Sequence, residues 1–358
     1  MNWLEKVVRP EILALTPYSS ARSEYTGKSL IQLDANESPY CPYGCDEEPF
    51  NRYPEPQPQE LCAKLATMYG VQLQQILVTR GVDECIDLLI SAFCVPYKDA
   101  IIVTPPTYGC YTVFGKTRGA KILEVPLKSS FEQDIEALKA AGKNPQANVK
   151  IVFLCSPNNP SGNLVSLNDI QEVCSAYAEK AVVVVDEAYI EFSDTVSATT
   201  ILDKNANLVI VRTLSKALAM AGVRVGTLIA CKEIIDVLRK IIHPYPIPRP
   251  CINIALKCLS KEGLDLATKR ISEIKEQRDY LNKELSKLPN IEKIYNSSAN
   301  FILLIAKDAK NLYDKLKAKG IIIRSRTNEI PNGLRISVGS PQENQTLLQA
   351  MKEFSRNE

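Results

Sequence analysis

The chain has 358 residues, more than one core usually organises, so two packed domains are expected. Apolar residues make up 45% and charged residues 23%, an ordinary globular balance. The 43 basic and 41 acidic side chains nearly cancel, which argues against nucleic acid or an anionic membrane surface as the main partner. Residues 1–18 carry Glu5 and Glu11 and lack an apolar run ending in small residues, so no secretory signal is expected. No stretch approaches the roughly 18 apolar residues of a membrane helix, and the expected location is the cytoplasm.

The eleven cysteines are scattered, and only Cys41 and Cys45 lie close together. With His243 as the single histidine, neither a zinc site nor a Ser-His-Asp triad is expected, and the thiols read as reduced, small apolar side chains. No metal is expected.

In chain order, residues 1–50 read as an irregular arm rich in Pro and Tyr, with a small-domain segment. The prolines of NRYPEPQP (51–58) exclude a regular helix there. Short Val- and Ile-rich runs then alternate with amphipathic segments. The runs are Ile76–Thr79, Ala100–Val103, Ile122–Val125, Lys150–Leu154, Ala181–Asp186, Leu208–Val211 and Gly226–Ala230. Helices are expected over 82–94, 108–117, 132–141 and 167–179. Continuous apolar strands spaced by helices predict a mainly parallel seven-stranded α/β sheet covered on both faces. The four prolines of IHPYPIPRP (242–250) mark a boundary. After it come charged helices over about 251–288, a strand near Asn300–Ile305, a helix over 309–319, and strands near 321–324 and 334–338. The expected division is an arm (1–50), a large domain (51–245) and a smaller C-terminal α/β domain (246–358).

Ligands of open parallel sheets collect at the carboxyl ends of the strands. Gly81 follows the first strand and allows a tight turn, after which the amides of Val82 and Asp83 open a helix and face an anion. SPNNPSG follows the fourth strand and brings Asn159. Asp186 ends the fifth, with Tyr189 close behind. Arg212-Thr213-Leu214-Ser215-Lys216 ends the sixth, and Arg224 comes after it. Singly, each has an ordinary explanation as a cap, a turn or a surface group. Together they complement one ligand. Val82, Asp83, Ser215 and Arg224 suit a phosphate, and Asp186 suits a protonated ring nitrogen. Asn159 and Tyr189 suit a ring hydroxyl, and the Lys216 amine suits an aldehyde. Those are the demands of pyridoxal phosphate. Tyr108, in PPTYGCY, is placed to stack on its ring. Lys216 must be partly neutral to attack, and it can then serve as general base and acid.

The segments SPNNPSG, VVVDEAYIEF, TLSKALAMAGVRVG and LRISVG resemble the aspartate-aminotransferase (fold type I) family of pyridoxal-phosphate enzymes. Within it, LTPYSSAR, LDANESPY, NRYPEP, RGVDECIDLLI, PPTYGCY, HPYPIP and GIIIRSR are most similar to the histidinol-phosphate aminotransferases. The likeness runs from about residue 13 to 340. It implies a pyridoxal-phosphate cofactor bonded to Lys216, with Asp186 on its ring nitrogen, and Asn159 and Tyr189 on its ring oxygen. It adds Thr213 to the cofactor-binding segment, and it places Ser215, Arg224 and the amides of Val82 and Asp83 on the phosphate. Tyr53 would reach that phosphate from the partner subunit of a homodimer. Arg335 would bind the carboxylate of glutamate or 2-oxoglutarate. Arg324 and Tyr18 would bind the substrate phosphate, and Asn36 lies in the matching substrate-side segment. Val82 stands where the family has Ala, Ser161 where it has Thr, and Arg326 adds a second cation beside Arg324.

The activity so implied is transamination between histidinol phosphate and 2-oxoglutarate in histidine biosynthesis. An aromatic amino-acid aminotransferase remains open beside it. So does a lyase such as a threonine-phosphate decarboxylase, because the sequence does not show which bond at the substrate carbon stands perpendicular to the ring.

Overall fold

The computed structural model describes residues 3–19, 31–45, 48–144 and 147–356. Seven strands form the larger sheet: β1 (Ile76–Thr79), β2 (Asp99–Val103), β3 (Lys121–Glu124), β4 (Asn148–Cys155), β5 (Val182–Asp186), β6 (Leu208–Thr213) and β7 (Gly226–Ala230). Their order is β1-β7-β6-β5-β4-β2-β3. The strands from β3 to β6 pair in parallel, while β7 runs antiparallel to both of its neighbours. The sheet is therefore mainly parallel, as its sequence predicts.

The valine run of β5 shows why its strands read as unbroken apolar stretches. Side chains alternate across a strand, so Val183 and Val185 enter the core on one face, and Val182 and Val184 the core on the other. Helices close both faces. Val82–Phe93 inserts Cys85, Ile86 and Leu89 on the second face, and Leu167–Ala176 inserts Ile170, Val173 and Cys174 on the first.

The helices begin and end where local chemistry allows. Ile135–Ala141 starts three residues later than expected, at Asp134, whose side chain accepts from the Ala137 N–H at 3.0 Å. Leu167–Ala176 stops three residues short of the expected end, and Glu179 beyond it adopts φ 58°. Helices Gln59–Tyr69, Lys232–Arg239 and Pro341–Arg356 and strand Ile291–Ile294 add to the expected elements.

The arm needs a correction. Its first part is not irregular: Trp3–Val7 and Pro10–Ala14 are short helices, and Leu4, Val7 and Val8 are buried against the helix face that holds Phe93. The i, i+3, i+4 spacing of those three residues is the reason. Residues 31–45 are largely exposed and carry no helix or strand.

The C-terminal part builds its own sheet from β8 (Ile291–Ile294), β9 (Phe301–Ala306), β10 (Arg324–Ser325) and β11 (Gly333–Ser337), in the order β10-β11-β9-β8. All its pairs are antiparallel. The strand expected over 321–324 shrinks to the two residues of β10. A separate core of Leu281, Leu285, Leu304, Leu316, Leu334 and Met351 lies beneath. Helix Lys261–Leu285 spans 25 residues and connects this core to the larger one.

Candidate active site

The carboxyl ends of β4, β5 and β6 lie side by side, with Cys155 opposite Asp186 and Asp186 opposite Val211. Gly226 at the start of β7 is flanked by Thr79 of β1 and Thr213 of β6. This rim encloses a pocket of about 120 Å³ lined by Val82, Asp83, Tyr108, Cys155, Asn159, Asp186, Ala188, Tyr189, Thr213, Ser215, Lys216, Ala221 and Arg224. Ten residues that the sequence singles out thus converge on one cavity.

One wall is an anion cradle. Gly81 takes φ 87° and caps the helix that starts at Val82. The first amides of a helix have no acceptor within it and concentrate positive potential. Arg224, itself at φ 57°, lies over the turn so closely that a Cβ on Gly81 would sit 2.7 Å from its Nη2. The Ser215 N–H donates to Thr213 Oγ1 at 3.1 Å, and the Thr213 hydroxyl donates to Ser215 Oγ at 2.9 Å. The Asp83 side chain faces Arg224 at 3.5 Å and accepts from the Tyr108 hydroxyl at 2.9 Å.

On another side, Asp186 is 3% exposed. Its Oδ2 accepts from the Tyr111 hydroxyl at 2.6 Å and its Oδ1 from the Ala188 N–H at 3.0 Å. Burial raises its pKa to about 6, against the lowering effect of those two bonds. No cation pairs with it among the described residues. Such a carboxylate is shaped to receive a positive group from the cavity.

Lys216 is exposed, yet the pocket wall strips enough water from its ammonium to hold it below the usual lysine range. The charges of Arg335 and Arg224 act in the same direction. Its Nζ lies 5.7 Å from the Tyr189 ring centroid. Tyr189 is buried and packs edge-on against Phe301, with ring centroids 5.1 Å apart. Arg335 arrives from the smaller sheet, stacks over Phe301 at 5.3 Å, and donates to Asn159 Oδ1. Arg324 faces Arg335 across the β10–β11 pair and is exposed. Arg326 is held by Glu329 at 2.8 Å.

Six of the site residues expected from the sequence do not line the pocket: Gly81 behind the cradle, Arg324 and Arg335 on the smaller sheet, and Tyr53, Asn36 and Tyr18. Tyr53 and Asn36 line a cleft of about 400 Å³ with Glu37, Arg52 and Arg249, and Tyr53 stacks on Tyr245 at 4.4 Å. Tyr18 is 75% exposed and lines neither cavity. The sequence patterns do not single out Tyr111, Ala188, Ala221 or Phe301, and Cys155 lines the pocket besides packing in the core. Tyr111 had a signal: it follows Tyr108 by three residues, on the same side of a helix start.

The chain's residues 35–351 match the family model for aminotransferases of class I and II. A histidinol-phosphate aminotransferase from Stenotrophomonas maltophilia (strain R551-3) is 41% identical over 350 residues, 96% of this chain and 95% of that relative. The solved histidinol-phosphate aminotransferase of Clostridium acetobutylicum superposes with a TM-score of 0.78 at 26% identity, covering 86% of this chain and 91% of that one. That of Sinorhizobium meliloti, in complex with pyridoxal-5'-phosphate, gives 0.77 at 22% identity, over 86% and 83%, and shares the fold. The protein is an aminotransferase of class I and II, built on the fold type I scaffold. Within that class the chain belongs to the histidinol-phosphate aminotransferase family.

The family's cofactor is pyridoxal phosphate, and the pocket's own chemistry fits it. Gly226 lets β7 approach the turn so closely that a Cβ on it would lie 2.7 Å from the Val82 nitrogen, and Gly81 lets Arg224 close over the same turn, which builds a tight anion cradle. The buried carboxylate without a cation and the amine of depressed basicity lie on one cavity. Among the described residues, no cluster of His, Cys, Asp and Glu could hold a metal, and no helix is long and apolar enough to cross a membrane.

Proposed function

We propose that the pocket binds pyridoxal phosphate through Lys216 and Asp186 and moves the amino group of L-histidinol phosphate to 2-oxoglutarate, a step of histidine biosynthesis. The products are imidazole acetol phosphate and glutamate. The observation that carries the reading is the buried Asp186 carboxylate, with no cation of its own, on the same small cavity as Lys216. The cofactor, when bound, supplies an electron-accepting ring that stabilises negative charge at the substrate's α-carbon. Asp186 holds a proton on the ring nitrogen. Lys216, kept partly neutral by its surroundings, would act as the general base for the substrate's α-proton and as the general acid that gives it back. The Arg335 donor occupies the Asn159 oxygen and so orients the amide, whose Nδ2 faces the Tyr189 hydroxyl, and the two would donate to the ring oxygen together. Tyr108 covers the ring. The Val82 and Asp83 amides, Thr213, Ser215 and Arg224 hold the phosphate.

For the substrates, the planar forks of Arg335 and Arg324 suit a carboxylate and a phosphate in turn. Tyr18 and Asn36 complete that side. Tyr53 lies outside its own chain's pocket, which supports its reaching the phosphate of a second copy in a homodimer. The divisions at about residues 50 and 245 fit the two sheets. Free cysteines and phosphorylated small-molecule substrates support a cytoplasmic location.

The test is a half-reaction scan by absorbance. Cofactor-loaded protein receives histidinol phosphate, phenylalanine, tyrosine and threonine phosphate separately, without an acceptor. Rapid conversion of the cofactor to its amine form with histidinol phosphate is the expected result. Preference for an aromatic amino acid, or release of carbon dioxide from threonine phosphate, replaces the substrate assignment by that activity. No spectral change with any donor overturns the mechanism.

A further inference from the structure

We propose that the Tyr111 hydroxyl is a positioning group for Asp186, fixing its carboxylate so that the shared proton stays on the cofactor's ring nitrogen. The inference rests on the reading that Asp186 faces that nitrogen. Among the described residues Asp186 has two hydrogen-bond donors, Tyr111 at 2.6 Å on Oδ2 and the Ala188 N–H at 3.0 Å on Oδ1. The backbone donor follows from the chain's path after β5. The hydroxyl is the one side-chain donor, and it comes from helix Cys110–Thr117, 75 residues away in sequence.

The Tyr111 ring is placed by packing that is independent of its hydroxyl. It stacks on Phe153 with centroids 4.6 Å apart and planes 8° from parallel, and Tyr108 meets it edge-on at 5.5 Å. It is 1% exposed, so water has no route to replace it. Burial first, and the Asp186 charge second, raise the phenol's pKa well above its usual value, so the oxygen keeps its proton and stays a donor. Other titratable groups surround the carboxylate. The Cys155 thiol is kept neutral by burial, Asp83 and Glu187 push negative charge away, and Lys216 lies across the pocket.

A hydrogen bond to a carboxylate stabilises its charged form. Without it the proton between Asp186 and the ring nitrogen moves toward the oxygen, and the charged pair becomes a neutral one. Tyr111→Phe removes one oxygen and keeps both aromatic contacts, so it separates donor from packing.

The experiment loads wild type, Asp186→Asn and Tyr111→Phe with [15N]pyridoxal phosphate and reads the ring-nitrogen chemical shift. Wild type is expected at the protonated position and Asp186→Asn at the neutral one. Tyr111→Phe is expected displaced from wild type toward neutral, with cofactor affinity lowered about tenfold. If Asp186→Asn leaves the signal unmoved, the reading of Asp186 fails. If Asp186→Asn moves it and Tyr111→Phe matches wild type, the Tyr111 inference alone is overturned. Should Tyr111→Phe load too little cofactor, the cofactor-free proteins decide by 13C titration of the Asp186 carboxyl. Its midpoint is expected higher in Tyr111→Phe, and an unchanged midpoint overturns the inference.

Discussion

Lys216 does its work only as a free amine, and its surroundings push it that way. Loss of water at the pocket wall disfavours the ammonium, and Arg335 and Arg224 repel it, against the pull of Asp186 and Asp83. The pH dependence follows from the sign of that shift. A lysine of lowered pKa becomes nucleophilic at lower pH than an ordinary one. Trapping with borohydride after brief exposure to pyridoxal phosphate is therefore expected to label Lys216 at a pH where surface lysines stay unlabelled. Lys216→Ala is expected to lose that label and at least about a thousandfold in turnover, with the fold retained. A labelling profile like that of surface lysines means that the pocket does not tune the amine. Residues like Lys216 and Asp186 were legible in the sequence because Asp186 ends an unmistakable strand and Lys216 closely follows one. Phe301 was not, and Tyr111 only through its spacing from Tyr108, since their partners Tyr189 and Asp186 come from distant parts of the chain. The Arg335–Asn159 bond spans 176 residues and joins the two sheets, and no local pattern encodes such a meeting.

At the scale of elements, the cradle depends on how closely β7 approaches the turn after β1. A Cβ on Gly226 would lie 2.4 Å from the Gly81 carbonyl carbon and 2.7 Å from the Val82 nitrogen. Both obstacles are backbone, so neither can rotate away. Gly226→Ala must therefore push the start of helix Val82–Phe93 off the strand. The expected loss is about 1–3 kcal/mol of stability by chemical denaturation. Cofactor affinity should fall as well, because the displaced amides belong to the cradle. A variant that loses stability yet keeps full affinity would free the cradle from this contact. The strands of the larger sheet were readable from their apolar runs, which are doubly buried except in β3, whereas the half-exposed β8 was not. The reversed direction of β7 was not, because a short apolar strand reads alike in either sense. The strand expected over 321–324 was misplaced for a different reason: only Arg324 and Ser325 pair with β11, while Ile321 and Ile323 pack on the core of the smaller domain. The N-terminal helices were too short to outweigh the prolines and tyrosines that follow them.

Across the whole molecule, the buried Asp186 is a cost that the protein without cofactor carries. An aspartate titrates near 3.9 when exposed in an unfolded chain, while burial raises this one to about 6 in the fold. For an acid whose folded pKa is raised, the fold loses stability as pH climbs from the unfolded value through the folded one, and the loss persists above it. Two pKa units correspond to about 3 kcal/mol, which the cofactor-free protein forfeits at neutral pH and recovers below about pH 4. Asp186→Asn removes the charge and keeps the shape. Its cofactor-free form is thus expected to melt several degrees above cofactor-free wild type at pH 7.5, with the gap narrowing as pH falls toward 4. Pyridoxal phosphate should reverse the order at pH 7.5. A ring cation against Asp186 converts the stored penalty into attraction, whereas the neutral amide of the variant has no charge to offer it. An equal melting gain on loading both proteins would mean that Asp186 does not hold the ring nitrogen. A cofactor-free Asp186→Asn variant no more stable than wild type at pH 7.5 would mean that the carboxylate is solvated well enough to need no partner.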